Sequence, residues 1–437
     1  MRTKEFIHDV GERALHLVGA DQVEVGITSY EEGVTRVANS IIHQNLTKEV
    51  DEFWGRVILG KKIGGVSLTS IESERIKQGI STAYEFAKYQ KEDTDFHSLP
   101  QATPVEYTED IHPISPEERA QFVNEVVKVA NAHHLIAAGV IYNIREIVGI
   151  FNSLGVRSIG ELQHSTAQVT MLSDTSSGFA FAMDKEFHKI NPTELAETAS
   201  YKAILSKNPI ELEPRKYTVL LEEYAVAELL MFLSWIGFGA REYEEGSSFM
   251  SGKIGKKITG NNITIIDDVS FSGMTGLPFD YEGVPKQKVT MIKDGIASAV
   301  VYDSYYGHKN GVNSTGHALP QPNPWGPYPS NIVLTAGTST KEEMLSSIET
   351  GIWVTRFWYT RIVDPDKTLV TGMTRDGTFL IKNGKPVSGV KNLRFTVNIL
   401  EALANTIKIS NEYKLIEQSL VPALLIEDFN FTGKTEY

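Results

Sequence analysis

Cysteine is absent from this chain of 437 residues, and that absence excludes several chemistries at once. Without thiols the chain can form no disulfide, so nothing in it favours an oxidising compartment. Thiolate nucleophiles, iron–sulfur clusters and thiolate-ligated zinc sites are excluded for the same reason. Any catalytic or metal-binding centre must therefore be built from carboxylates, histidines, hydroxyls and lysines.

Long apolar runs are also missing. A helix needs about 20 consecutive apolar residues to cross a bilayer. The longest candidate, Leu229 to Phe238, is much shorter and contains Ser234 and Gly237. The N-terminus, Met1-Arg-Thr-Lys-Glu-Phe-Ile-His, has no apolar core of the kind that signal peptides carry. We therefore expect a cytoplasmic protein that does not associate with membranes.

Positive charge is in deficit, because 42 Lys and Arg residues stand against 55 Asp and Glu, for a formal net charge of −13. Such a chain repels the phosphate backbone, and nucleic-acid binders usually carry a basic patch. The only dense basic stretch is Lys253-Ile-Gly-Lys256-Lys257, for which we expect a solvated loop or strand end. We therefore expect no nucleic acid among the partners.

Motifs of the common hydrolases and nucleotide binders are missing as well. None of the 11 histidines is followed by Glu, so there is no HExxH zinc helix, and no G-x-S-x-G elbow is present. Gly237-Phe-Gly239 follows a helical segment and is interpreted as a helix C-cap rather than a dinucleotide-binding turn. His308 and His317 are nine residues apart in a Gly/Asn-rich stretch. We expect both to be solvated loop histidines, and a metal site formed by the pair is the alternative.

The length of the chain indicates more than one core. We predict an α+β fold with an N-terminal α/β region, residues 1–210, and a C-terminal β-rich domain, residues 215–437, whose sheet is mainly antiparallel. The boundary lies where Lys207-Asn-Pro209 stops a helix. A polar, proline-containing segment at 91–114 is a candidate break between two subdomains of the N-terminal region.

Capping signals predict where individual helices begin. Ser115-Pro-Glu-Glu118 is a capping box with Pro at the first helical position, and Asn191-Pro-Thr-Glu194 caps another helix. Ser339, with Glu342 three residues later, predicts a helix that ends near Gly351.

Strand and hairpin signals are concentrated elsewhere. Strand-like pieces are expected around 34–46 and 53–60, and a strand from Tyr217 to Leu221 precedes an apolar helix. Lys293-Asp-Gly295 and Lys382-Asn-Gly-Lys385 predict tight hairpins, because Asp-Gly and Asn-Gly tolerate positive φ at both central positions.

The chain resembles the TldD/PmbA family, once called modulators of DNA gyrase, over nearly its whole length. The best-matching segments are each weak alone, but their order and spacing are specific. They are Glu222-Glu-Tyr-Ala-Val-Ala-Glu-Leu-Leu230, Gly276-Leu-Pro-Phe-Asp-Tyr-Glu-Gly283, Pro329-Ser-Asn-Ile-Val-Leu-Thr-Ala-Gly337, Thr355-Arg-Phe-Trp-Tyr-Thr-Arg361 and Thr371-Gly-Met-Thr-Arg-Asp-Gly377.

The resemblance implies a peptidase cleft in the C-terminal domain. TldD-type members carry His-Glu-x-x-x-His at a helix start and a later Cys as third zinc ligand, and the Glu polarises metal-bound water. Here the corresponding motif window is Glu222 to Ala227. Glu222 and Ala227 stand in the two His positions, and Glu223 stands in the Glu position. The resemblance therefore implies a TldE/PmbA-type member with no metal ligand set, no cofactor and, for Glu223, a first-turn carboxylate that favours the helix dipole.

The function implied is that of a non-catalytic subunit, inactive alone, which pairs with a TldD-like metallopeptidase acting on unfolded peptides. A homodimer is the alternative assembly. Arg356, Tyr359 and Arg375 are the candidate peptide-binding residues, because they lie in family-like stretches. The competing hypothesis is an independent zinc-dependent metallopeptidase with other ligands. These would come from the carboxylates and histidines Glu222, Glu223, Asp267, Asp268, His308 and His317.

Overall fold

The computed structural model describes residues 1–101 and 105–435. Its content is 24% helix and 41% strand in several mostly antiparallel sheets, which confirms the predicted α+β class. Within the described ranges, no helix combines the length and the apolar character that a bilayer-spanning segment requires. The predicted segment 91–114 is described except for residues 102–104, which lie outside the described residues.

In chain order the elements of the N-terminal region are α1 (Lys4–Leu15), β1 (Gln22–Ala38), β2 (Ile41–Leu59), β3 (Lys62–Leu68), α2 (Ser73–Tyr89), β4 (Glu106–Thr108), α3 (Pro116–Ala132), β5 (Ile136–Asn152), β6 (Arg157–Leu172), β7 (Ser177–Asp184) and α4 (Pro192–Leu205). The strands form one seven-stranded sheet in the order β3-β2-β1-β5-β6-β4, with β7 also paired to β6. Among the described residues, only the β4–β6 pair of this sheet is parallel. Strands from both sides of the segment 91–114 lie in this sheet, and β4 comes from the segment itself.

The first hairpin differs from the prediction. β1 and β2 are joined at Asn39 and Ser40, whose φ angles are 51° and 59°. The expected strand at 34–46 therefore crosses a turn. Asn-Ser is a weak turn signal in the sequence, because Ser rarely adopts positive φ. In the structure the long ladder between β1 and β2 holds Ser40 at positive φ.

In chain order the elements of the C-terminal domain are β8 (Lys216–Leu221), α5 (Glu223–Gly237), α6 (Ala240–Glu245), β9 (Ile265–Asp267), β10 (Val289–Lys293), β11 (Ile296–Ala297), α7 (Ser304–Lys309), β12 (Ile332–Leu334), α8 (Lys341–Ser346), β13 (Thr350–Asp364), β14 (Leu369–Lys382), β15 (Lys385–Gly389), β16 (Leu393–Asn398), α9 (Ile399–Ala404), β17 (Thr406–Ile409), β18 (Lys414–Ile416), β19 (Ser419–Val421) and β20 (Leu424–Lys434). The strands form two sheets, in the orders β11-β10-β9-β12-β19-β18 and β13-β8-β20-β16-β14-β15, with β17 paired to β20. Most pairs are antiparallel; β12–β19 and β8–β13 are parallel.

Most local signals are confirmed. The Ser115–Glu118 capping box forms, and Asn191 caps α4. Both predicted hairpin turns form, with Asp294 and Asn383 at φ 50° and 48°. The basic stretch at 253–257 lies in a turn-rich loop before β9, as expected for a solvated segment.

Two helix ends differ from the predictions. The capping box of α8 uses Thr340 with Glu343, one residue later than predicted, and α8 ends at Ser346 because β13 begins at Thr350. The end of α5 is at Gly237 as expected, but the C-cap is Phe238 in right-handed conformation. Gly237 is needed there for space, since a Cβ would lie 2.3 Å from the ring of Phe249.

A buried ionic link ties the two regions together. Arg56 of β2 donates to Glu24 of β1 at 2.5 Å and to Glu282 of the C-terminal domain at 2.7 Å. The side chains of the two carboxylates are 0% and 2% exposed. Burial, together with the charge of Glu282, raises the pKa of Glu24 to about 7 despite the opposing effect of Arg56. The link therefore depends on the guanidinium between two desolvated carboxylates.

Candidate functional site

The motif window lies where β8 ends and α5 begins. Glu222 is the N-cap residue of α5, yet its side chain makes no capping hydrogen bond. Glu223 is the first residue of the helix and is 1% exposed. Ala227 follows one turn later, so its methyl group shares a helix face with Glu223. The window therefore lies at a helix start.

Glu222 is neutralised by a lysine from the N-terminal region. Lys202 of α4 donates to Glu222 Oε2 at 2.7 Å, and the indole N–H of Trp353 donates to Oε1 at 2.7 Å. Lys202 also donates to the carbonyl of Phe179 at 3.1 Å. Burial would raise the pKa of Glu222, but the charge and hydrogen bond of Lys202, helped by Lys414, hold that pKa below its usual value. The carboxylate is ionised and already paired.

Glu223 has its own cation. The ammonium of Lys341, at the start of α8, lies 2.6 Å from Glu223 Oε1. Burial would lower the pKa of Lys341, but the charge of Glu223 and the hydrogen bond between them raise it. Both carboxylates of the window are thus held by ammonium groups from other elements.

These residues do not fit a zinc ion. Zinc requires ligands with free lone pairs directed at one point, and Ala227 offers none. The ammonium groups of Lys202 and Lys341 pair with the two carboxylates, and Lys414 faces the same cleft. Their positive charges would repel a divalent cation. No catalytic step through a metal can be derived from this window.

The cleft around the window consists of adjoining spaces. A groove of about 440 Å³ runs along α5 past Ala227 and the exposed Trp235. A cavity of about 240 Å³ separates β7 from the edge strand β18. A third space, of about 510 Å³, lies against β5 and β6. The turn Glu417-Gln418 lines both the first and the third space, and Phe181 and Met183 line both the second and the third, so the three spaces adjoin one another in a cleft between the two regions.

The other candidate ligands are dispersed. Asp267 and His317 are fully buried and pair with each other at 3.0 Å. Asp268 pairs with Lys288 instead, and the ring of His308 packs against His97. Across the described part of the chain, no group of three or more His, Asp or Glu side chains is arranged to hold a metal ion.

The three candidate peptide-binding residues lie around the ring of Trp358. The guanidinium carbons of Arg356 and Arg375 are 5.5 Å and 4.6 Å from its centroid, and the ring of Tyr359 is 5.9 Å away. The guanidinium of Arg356 is also bonded to Asp376 and lies 4.1 Å from the ring of Phe179. None of the three side chains lines the cleft. Their role in peptide binding stays a prediction.

Residues that the sequence reasoning missed include Lys202, Lys341 and Trp353. One signal was available for Lys202, because it falls on the apolar face of α4 at helical spacing from Leu195 and Ala199, where a lysine has to find a buried partner. Nothing in the local sequence of Lys341 or Trp353 points to Glu222 or Glu223.

Two titratable groups of the sheet wall give the first testable prediction. Burial, with a smaller contribution from Glu52, raises the pKa of Glu146 to about 7, and burial lowers that of His164 to about 4. Glu146 therefore stabilises the fold below its unfolded pKa, and this contribution is lost as pH rises towards 7. His164 acts in the opposite sense, because its contribution is lost as pH falls from 6.5 towards 4.

Glu146→Gln is thus expected to become more stable relative to the wild type between pH 5 and pH 8, by roughly 1–3 kcal/mol, since one pKa unit corresponds to about 1.4 kcal/mol. Urea unfolding at both pH values measures this difference. Glu106→Gln, at a side chain that is 81% exposed, is the matched control. A wild-type-to-variant difference that does not change with pH would contradict the assignment.

Comparison with known proteins identifies the family of this chain. Residues 214–433 match the family described as PmbA/TldA metallopeptidase C-terminal domain. This match covers half of the chain, and the chain therefore belongs to the PmbA/TldD family.

Individual relatives match over different lengths. The metalloprotease PmbA homologue of Haemophilus influenzae is 23% identical over 86% of this chain and 84% of its own length. The metalloprotease TldD homologue of Buchnera aphidicola is 29% identical over 40% of this chain, and the match spans only 36% of that relative. Among solved structures, TldE from Thermococcus kodakarensis superposes with a TM-score of 0.84 at 21% identity, over 98% of this chain and 99% of its own.

Proposed function

We propose that this chain is a TldE-type, non-catalytic subunit that pairs with a TldD-like metallopeptidase and contributes the wall of a cleft for unfolded peptides. One observation carries the proposal: Lys202 and Lys341 neutralise the two carboxylates of the motif window, and Ala227 supplies no ligand. The match to a PmbA homologue over 86% of this chain supports the same assignment. The proposal includes a cytoplasmic location.

The test compares the chain alone with the chain copurified with a TldD-like subunit. We expect no stoichiometric zinc on the chain alone by elemental analysis, and no hydrolysis of an unfolded peptide substrate. With the partner we expect zinc and activity. Replacing the Glu of the partner's zinc motif by Gln should abolish the activity and leave the zinc bound, because that Glu activates water and does not ligate the metal. A homodimer without partner binding would contradict the proposed assembly.

Glu223→Gln separates this proposal from an independent zinc-dependent metallopeptidase. Gln can still accept a hydrogen bond from Lys341, so the local packing is preserved. In a non-catalytic subunit kcat of the complex is unchanged. If Glu223 activates a metal-bound water, kcat falls by at least 100-fold, and the competing hypothesis is correct.

A further inference from the structure

The space of about 510 Å³ between the two regions has two different walls. One wall is a face of the N-terminal sheet and includes the apolar side chains of Leu162, Phe181 and Met183. The other is formed by C-terminal loops, in which polar groups concentrate around Lys286 and Thr275. The sheet wall also carries polar side chains, Glu146 among them, and the loop wall also carries apolar ones. A cavity of this volume, with apolar surface and a small number of polar groups, is typical of a specific ligand site.

Lys286 presents a cation with spare hydrogen-bonding capacity to this cavity. Its Nζ donates to Ser330 Oγ and to Asn331 Oδ1, both at 2.8 Å. These are neutral oxygens, and an ammonium has three donors. The nearby carboxylates are engaged elsewhere, since Asp267 pairs with His317 and Asp280 accepts hydrogen bonds from backbone N–H groups. One donor of Lys286 is therefore left for a ligand.

Thr275 adds a second donor at the same end. Its hydroxyl is buried and has no hydrogen-bond partner among the described residues. Its carbonyl accepts from Asn331 Nδ2 at 3.0 Å, and the same amide accepts from Lys286. Asn331 thus links the backbone of Thr275 to the ammonium of Lys286. Burying an unsatisfied hydroxyl is costly, which points to a group that binds there.

We propose that this cavity binds the C-terminal residue of a peptide, with its carboxylate on Lys286 and Thr275 and an apolar side chain against Leu162, Phe181 and Met183. A carboxylate accepts hydrogen bonds from both groups at once, and a bond from an ammonium is charge-assisted. The polar end and the apolar wall match the two ends of such a residue. Because it takes the ligand to be a peptide, this assignment rests on the proposed function.

Two features of the cleft are consistent with a peptide. Glu417 and Gln418 line both this cavity and the groove along α5, so the residues that precede the C-terminus can continue into that groove. Glu146 also lines the cavity, and burial raises its pKa to about 7. Near neutral pH a large fraction of Glu146 is protonated, which reduces its repulsion of a bound carboxylate.

The experiment measures binding of a fluorescein-labelled peptide that ends in Leu with a free carboxylate, and of the same peptide with an amidated C-terminus. Fluorescence anisotropy with the full chain is the readout. We expect the free acid to bind the wild type at least tenfold more tightly than the amide. Lys286→Met is expected to remove this discrimination, and Thr275→Val to reduce it.

Lys288→Met is the matched control, because Lys288 is two residues away, 58% exposed and paired with Asp268. It should leave the discrimination unchanged. Thermal melts of each variant check that it is folded. Equal binding of acid and amide, no binding of the acid, or discrimination that survives Lys286→Met would overturn the proposal. Displacement of the peptide by decanoate with equal affinity would also overturn it, by assigning the site to small apolar carboxylates.

Failure here is distinguishable from failure of the proposed function. Peptide binding is measured on the isolated chain and requires neither a partner nor zinc. A chain that carries zinc and hydrolyses peptides alone refutes the non-catalytic role, whatever the acid–amide ratio. A chain that activates a TldD-like partner but does not distinguish acid from amide refutes only the cavity assignment.

Discussion

Arg56→Met is expected to destabilise the protein by roughly 3–5 kcal/mol, because it leaves two buried carboxylates without the cation between them. Arg56 joins Glu24 to Glu282, and all three side chains are at most 9% exposed. The measurement is the midpoint of the first denaturant-induced transition at pH 7. Because the link connects the two regions, we expect that transition to become less cooperative in the variant.

The loss of stability in Arg56→Met should depend on pH. Without Arg56 the pKa of Glu24 rises further, because the effects of burial and of the charge of Glu282 are no longer opposed. The variant is then most stable where Glu24 is protonated and loses stability as pH rises, so its deficit shrinks at pH 5.

Two further substitutions act as controls for Arg56→Met. Arg56→Lys retains the charge but not the fork that reaches both partners, and an intermediate loss is expected. Arg2→Met removes a pair to Asp51 of similar length, 3.0 Å, whose arginine is 47% exposed, and should cost less than about 1 kcal/mol. A loss at Arg56 no larger than that at Arg2 would contradict the interpretation.

The second large effect concerns the pair at the motif window. Glu222→Leu leaves the ammonium of Lys202 buried with only the carbonyl of Phe179, and Lys202→Met leaves Glu222 with Trp353 and more distant cations. Each single variant is expected to lose roughly 3–5 kcal/mol. The double variant Lys202→Met with Glu222→Leu should lose much less than the sum, because neither charge is then left unpaired.

A double-mutant cycle by denaturant unfolding measures this coupling. The control cycle uses Lys391 and Glu211, which are 2.9 Å apart but 44% and 56% exposed. Its coupling should stay below about 1 kcal/mol. If the buried cycle shows no more coupling than the exposed one, the lysine does not neutralise the carboxylate in solution. The main argument against a metal in this window would then be lost.

The motif window illustrates how sequence and structure contribute differently to the site. Glu222, Glu223 and Ala227 were located by the resemblance to the TldD/PmbA family, and the helix start by local pattern, since a strand followed by an apolar helix is a short-range signal. Neither could predict their ion pairs, because Lys202 and Lys341 reach them from α4 and α8, far along the chain. Arg356 shows the converse, since a family-like stretch drew attention to a side chain that Asp376 engages.

Several properties of this protein were determined by the sequence by itself. The lack of cysteine follows from the composition, and the Ser115–Glu118 capping box and the Asp-Gly and Asn-Gly hairpins depend on which residues stand near one another along the chain. Only the tertiary structure decided which strands pair, where the two regions meet, and that Lys286 and Thr275 share one cavity. The physical reason is range, because caps and turns are satisfied within a few residues, whereas a buried charge takes its partner from whatever element the fold packs against it.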